Sequence, residues 1–205
     1  NLYGKEYPMN DMNFPTVDPK DPYKLTDEEK EVMEKIKSSF VNSDKLQEHT
    51  RFLFSKGSIY TIFNSNLLFH GGLPMNEDGS LKEVRFRSEN YKGREYFDIV
   101  ERIIRQGYFN KAHTEEKRKC MDITWYMWCG EESPLFGKKK MTTFERYFID
   151  DKETHKEVKN PYYELRNEEC ICNRVLEAFG LNPRVSHIIN GHVPLKVKKG
   201  GSPIK

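Results

Sequence analysis

Two stretches of this chain read as β-strand, and they are separated by a long run of helical patterning. The first, SIYTIFNSNLLF at 58–69, is β-branched and aromatic on either side of Asn64-Ser65-Asn66, which is turn material. It predicts a β-hairpin whose second strand ends at His70. The second, Val185 to Ile189, predicts a buried strand stopped by Asn190-Gly191. Strands this far apart, with helices between them, constrain the chain to an α/β architecture.

The intervening and flanking segments supply the helices. Four prolines among Asn and Asp make residues 1–25 an extended lead-in, since each lacks a backbone donor and restricts its predecessor. Thr26 then opens a capping box with Glu29, and Val32, Met33, Ile36 and Phe40 follow at helical spacing, predicting a helix over 27–41. A second helix is expected from Ser43 towards Lys56, and another from Arg94 to Gln106 closed by Gly107. Thr114 caps a helix carrying Cys120, Met121 and Ile123, after which WYMWCGEESPLFGKKK reads as a break in periodicity. Trp125 and Trp128 within it are assigned to packing. A single helix is expected from Tyr163 to Phe179. Residues 1–57 thus form an extended and helical segment, and 58–205 the main folded part.

Composition excludes several classes. The 34 Lys+Arg nearly balance 32 Asp+Glu, a net charge of +2, which gives no electrostatic case for nucleic-acid binding. No apolar stretch has the length of a membrane span, and nothing at the start reads as a secretory signal. Cys120, Cys129, Cys170 and Cys172 lack CxxC spacing and are read as reduced thiols in a cytoplasmic protein. The chain opens at Asn1 without methionine and stops in KKGGSPIK, so it is expected to be a piece of a longer protein.

Two of the six histidines share a context. His70 follows a strand and precedes Gly71-Gly72-Leu73-Pro74; His192 follows a strand through Asn190-Gly191 and precedes Val193-Pro194. Ligands collect at the carboxyl ends of strands in α/β sheets, and neutral imidazole is a common ligand for divalent metals. Glycines beside such a histidine would let the backbone turn and leave room for metal and substrate. Taken singly, each reads first as a turn histidine with a hydrogen-bonded ring; the matching contexts of the two favour a shared site. His155, in a charged segment, is expected to be exposed, and His49 and His113 are given no role.

FHGGLP followed by NGHVP resembles the second half of the calcineurin-like metallophosphoesterase pattern. MWCGEESPLFGKKKMTTFERYFIDDKETHKEVKNPYY and INGHVPLKVKKGGSPIK are similar, over about 58–205, to the class III fructose-1,6-bisphosphatases of Firmicutes and some other anaerobic bacteria. The resemblance implies a metallophosphoesterase-type β-sandwich flanked by helices, here in part. It also implies hydrolysis of the 1-phosphate of fructose 1,6-bisphosphate in gluconeogenesis, with a two-metal centre using divalent metal such as Mn2+. His70 and His192 carry over as ligands of one metal. The family's bridging carboxylates and its GNH histidine lie upstream of HGGL and are therefore expected before Asn1. GGSP replaces an acidic residue expected near Gly201.

A bisphosphate substrate needs positive charge away from the metals, and Lys138, Lys139, Lys140 and Arg146 are the candidates, each weighed against an ordinary solvated role. Two other readings stay open. One is a different calcineurin-like phosphoesterase, of the dinucleoside tetraphosphatase or protein phosphatase type. The other is a non-catalytic regulatory or assembly module, which would show no Mn2+ dependence. The remainder of its own polypeptide is an expected partner, as is a second copy in a homo-oligomer.

Overall fold

The computed structural model describes residues 1–192 apart from Tyr3 and Arg87. Val193, Pro194 and the GGSP stretch lie outside the described residues. The chain is mixed α/β and divides into two compact units, 1–57 with 142–156, and 58–141 with 157–205.

The first unit holds α1 (Asp27–Val41) and α2 (Asp44–Lys56). Both capping-box bonds of α1 are present: Thr26 N–H donates to Glu29 at 2.7 Å, and Glu29 N–H donates to the Thr26 hydroxyl at 3.2 Å. Neither helix buries a residue, and Val32, Met33, Ile36 and Phe40 of the α1 stripe are all exposed. The same unit holds a short helix, α5 (Phe144–Phe148), and a 3-10 turn over Lys152–His155.

The second unit is organised by a three-stranded sheet. β1 (Tyr60–Phe63) pairs antiparallel with β2 (Asn66–Phe69) through a turn in which Asn64 and Ser65 both take positive φ. β5 (His187–Asn190) then lies parallel to β2, with Phe69 opposite Asn190. A parallel neighbour requires a long crossover, here the whole helical middle of the unit. A separate hairpin joins β3 (Val84–Phe86) to β4 (Glu89–Tyr91).

Leu67 and Phe69 on β2 are buried against α3 (Gly93–Phe109) and α7 (Glu169–Ala178), in a core that includes Phe97, Val100, Val175 and Phe179. Glu101 on α3 anchors the start of the hairpin, accepting from the Ser58 hydroxyl at 2.5 Å, Ile59 N–H at 3.1 Å and Arg105 at 2.8 Å.

Four expectations are corrected. Gly107 does not end α3 but lies buried inside it, where an added Cβ would stand 3.2 Å from Cys120 of α4 (Glu115–Cys129). The glycine serves a close helix crossing rather than a cap. Trp125 to Cys129 form the last turn of α4, and both tryptophans are about two-thirds exposed instead of packed. The expected single helix is two, α6 (Tyr162–Leu165) and α7. β5 is not a buried strand: its residues alternate between exposed and half-buried, and Val185 before it is exposed.

Candidate functional site

The parallel register of β2 and β5 ends both strands at one edge, and the residues that follow them meet there. Phe69 is paired with Asn190, so His70 and the Gly191-His192 step leave the sheet side by side. The carbonyl of His70 accepts from both Gly191 N–H at 3.1 Å and His192 N–H at 2.9 Å. This fixes the two backbones before any side chain is considered. The rings then lie edge to face, centroids 4.9 Å apart at 80°, with His70 Nε2 2.9 Å from His192 Nδ1.

The glycines after His70 have a different purpose from the one their position suggests. A Cβ on Gly71 would sit 2.5 Å from the Pro134 carbonyl oxygen and 3.1 Å from the Tyr163 hydroxyl; one on Gly72 would sit 2.9 Å from the Tyr162 ring. Neither takes positive φ. The space they leave is occupied by the protein itself. Gly72 N–H also donates to the Pro134 carbonyl at 3.2 Å, clamping the histidine loop onto the 130–137 segment. That segment is shaped by buried Ser133, whose hydroxyl accepts from Leu135 N–H at 3.0 Å and Phe136 N–H at 3.2 Å.

Asn190 and Tyr162 complete the support, and sequence reasoning assigned neither a role here. The Asn190 amide donates to the carbonyls of Phe69 at 3.4 Å and Gly71 at 3.3 Å, bracketing His70 from both sides. The phenol of buried Tyr162 donates to Asn190 Oδ1 at 2.5 Å, fixing which way the amide points. Burial pushes the Tyr162 phenol well above its usual range, so it remains a donor. Asn190 was legible only as a turn residue. Tyr162 carried no signal at all, because its partner is distant in sequence.

Electrostatically the pair is poor in negative charge. His192 is held below the usual imidazole value, first by burial and then by the adjacent His70 and the ammonium groups of Lys138 and Lys159. A neutral ring with a free lone pair is the form that ligates metal. Among the described residues, no three His, Cys, Asp or Glu side chains gather at one point. The donor set is therefore two imidazoles without a carboxylate. The two nitrogens lie at hydrogen-bond distance from each other, close enough that one ion could be reached by both rings.

The candidate cations have other engagements. Lys138, about a quarter exposed, pairs with Glu157 at 2.7 Å, and Lys139 lies 4.0 Å from Glu131. Lys140 is half-buried beside them. Arg146 belongs to the other unit, where its guanidinium donates to the Thr142 carbonyl at 3.0 Å and the His155 carbonyl at 3.1 Å. His155 is not a free surface ring: its Nε2 lies 2.9 Å from the Glu145 carbonyl and 2.8 Å from that of Ile149, so it carries the proton and packs within its unit.

Comparison with known proteins adds an independent line. The model of the Firmicute fructose-1,6-bisphosphatase family matches residues 1–205. A class 3 fructose-1,6-bisphosphatase of Alkaliphilus metalliredigens is 62% identical over 204 residues, covering 98% of this chain and 31% of that protein. Class 3 enzymes of Listeria innocua (57% over 204 residues) and Clostridium botulinum strain Okra (56% over 205 residues) each cover 100% of the chain and 31% of their own length. The chain thus spans under a third of these relatives. No solved structure matches it.

Proposed function

Because the chain belongs to the Firmicute fructose-1,6-bisphosphatase family, we propose that it supplies part of a metal centre that removes the 1-phosphate of fructose 1,6-bisphosphate. The observation that carries this reading is the 2.9 Å approach of His70 Nε2 to His192 Nδ1 at the carboxyl ends of adjacent parallel strands. Relatives matching 98–100% of the chain are named for this substrate. The metallophosphoesterase sandwich, a cytoplasmic location, a role in gluconeogenesis and assembly with further copies belong to the same proposal.

The two imidazoles would hold a divalent cation, with Mn2+ the first candidate. Such an ion supplies Lewis-acid polarisation of a phosphoryl oxygen and lowers the pKa of bound water. The chain's own residues do the positioning. The His70 carbonyl ties the two backbones together, Asn190 holds the loop on either side of His70, and Tyr162 holds Asn190. Partners of this kind commonly matter to metal affinity by about 10–100-fold. Burial and the neighbouring positive charges lower the basicity of His192, which favours the neutral ring that ligates metal. Lys138, Lys139 and Lys140 remain candidates to offset substrate charge, Lys138 with its charge partly cancelled by Glu157.

The test is phosphate release from fructose 1,6-bisphosphate by the full-length protein, with and without Mn2+, alongside the 205-residue chain. Activity is expected only from the full-length protein with metal. Turnover by the 205-residue chain, or metal-independent turnover by either, contradicts the proposal.

A further inference from the structure

The lysine run pointed out by the sequence is not the only positive charge at the histidines. Lys138 and Lys159 face each other as an isolated antiparallel bridge. The bridge is held by Lys139 N–H donating to Val158 at 2.9 Å and Asn160 N–H donating to Gly137 at 2.9 Å. Gly137 takes φ +59° and packs against Tyr163, where an added Cβ would stand 3.1 Å from the ring. The Tyr163 ring centroid is in turn 6.1 Å from that of His192. The bridge thereby sets the backbones of both lysines beside Tyr163, whose ring neighbours His192.

Like charges set opposite one another across an antiparallel pair destabilise it. Glu157 offsets one of them, through its 2.7 Å contact with Lys138. Lys159 is exposed and, among the described residues, its ammonium makes no ion pair. An ordinary solvated lysine accounts for the exposure but not for its placement opposite Lys138 and beside the histidines. A cation left uncompensated next to a cation-binding site favours an anion there.

The geometry points to Lys159 as a substrate-binding cation, donating from its ammonium to a non-bridging phosphoryl oxygen held beside the His70–His192 pair. This rests on the phosphatase reading above and deepens it by naming the residue that meets the phosphate. Lys138, with Glu157 at its side, is the weaker cation of the two.

The experiment uses the full-length protein, comparing wild type with Lys159→Gln, Lys159→Arg and Glu157→Gln. It measures Mn2+ binding and inorganic phosphate binding by calorimetry, and kcat and KM for fructose 1,6-bisphosphate. Lys159→Gln is expected to raise KM and the phosphate Kd roughly tenfold, the scale of one charge-assisted hydrogen bond, with Mn2+ stoichiometry kept. Lys159→Arg should recover most of the loss, and Glu157→Gln should tighten phosphate by freeing Lys138. Wild-type KM and phosphate Kd in Lys159→Gln overturn the assignment, as does a loss that arginine does not restore. A wild-type protein that binds no Mn2+ and hydrolyses nothing overturns the phosphatase reading instead. Phosphate binding to wild type and Lys159→Gln then still decides Lys159, and its absence from both counts against it.

Discussion

Replacing Gly71 with alanine tests whether the histidine loop is positioned by close backbone contact. The new Cβ would lie 2.5 Å from the carbonyl oxygen of Pro134 and 3.1 Å from the Tyr163 hydroxyl, both on buried residues. A carbonyl oxygen in a folded loop cannot swing away as a flexible side chain can, so the loop must shift. Overpacking of this kind costs about 1–3 kcal/mol, and a backbone obstacle places Gly71→Ala near the upper end. For a chain of this size that lowers the unfolding midpoint by roughly 6–12 °C. The same shift loosens the Asn190–Gly71 and Gly72–Pro134 bonds that flank His70, and metal affinity should fall by about 10–100-fold.

Gly191→Ala is the control. There a Cβ meets nothing nearer than His70 Nδ1 at 3.5 Å, an ordinary contact, so the expected effect is below about 1 kcal/mol. Thermal unfolding and Mn2+ titration of both variants decide the matter. Equal behaviour of the two, with affinity intact in Gly71→Ala, would refute the argument that packing against Pro134 sets the position of His70.

Other consequences follow from the same contacts. His70→Ala and His192→Ala should each weaken Mn2+ binding at least tenfold in the full-length protein while circular dichroism stays unchanged; loss of folding in both would mean that the rings are structural. Tyr162→Phe removes the donor to Asn190 and should cost about 1 kcal/mol in denaturant unfolding, together with a fall in Mn2+ affinity. Glu101→Gln should destabilise by about 1.5–3 kcal/mol, because a charged acceptor shared by Ser58, Ile59 and Arg105 is lost. Burial raises the Glu101 carboxyl, but bonds from Ser58, Arg105 and Ile59 outweigh it and leave the net value lowered. Its stabilisation is therefore present above the unfolded carboxylate value and lost as pH falls through the folded one. The gap between wild type and Glu101→Gln should therefore close as pH falls below the usual carboxylate range, and a constant gap down to acid pH would contradict this.

What the sequence revealed follows from the range of the interactions concerned. The α1 capping box and the β1–β2 turn are local chemistry, so Thr26, Glu29, Asn64 and Ser65 announced them. The meeting of His70 and His192 was legible because both followed strand-like runs in matching contexts, although neither motif identifies its neighbour. Gly107 misled because a glycine inside a close helix crossing looks, in one dimension, like a glycine that ends a helix. The β3–β4 hairpin escaped notice since each strand has only three residues, too few for alternation to register. Tyr162, Asn190 and Lys159 were invisible as site residues for a common reason. Each acquires its role from a partner brought alongside only by the parallel pairing of β2 with β5 or by the Lys138–Lys159 bridge.

The most direct measurement is anomalous diffraction at the manganese edge from crystals of the full-length protein grown with Mn2+. A peak within roughly 2–2.3 Å of both His70 Nε2 and His192 Nδ1 is the predicted result. Manganese bound elsewhere, with the two rings still hydrogen-bonded to each other at the 2.9 Å seen here, would contradict it.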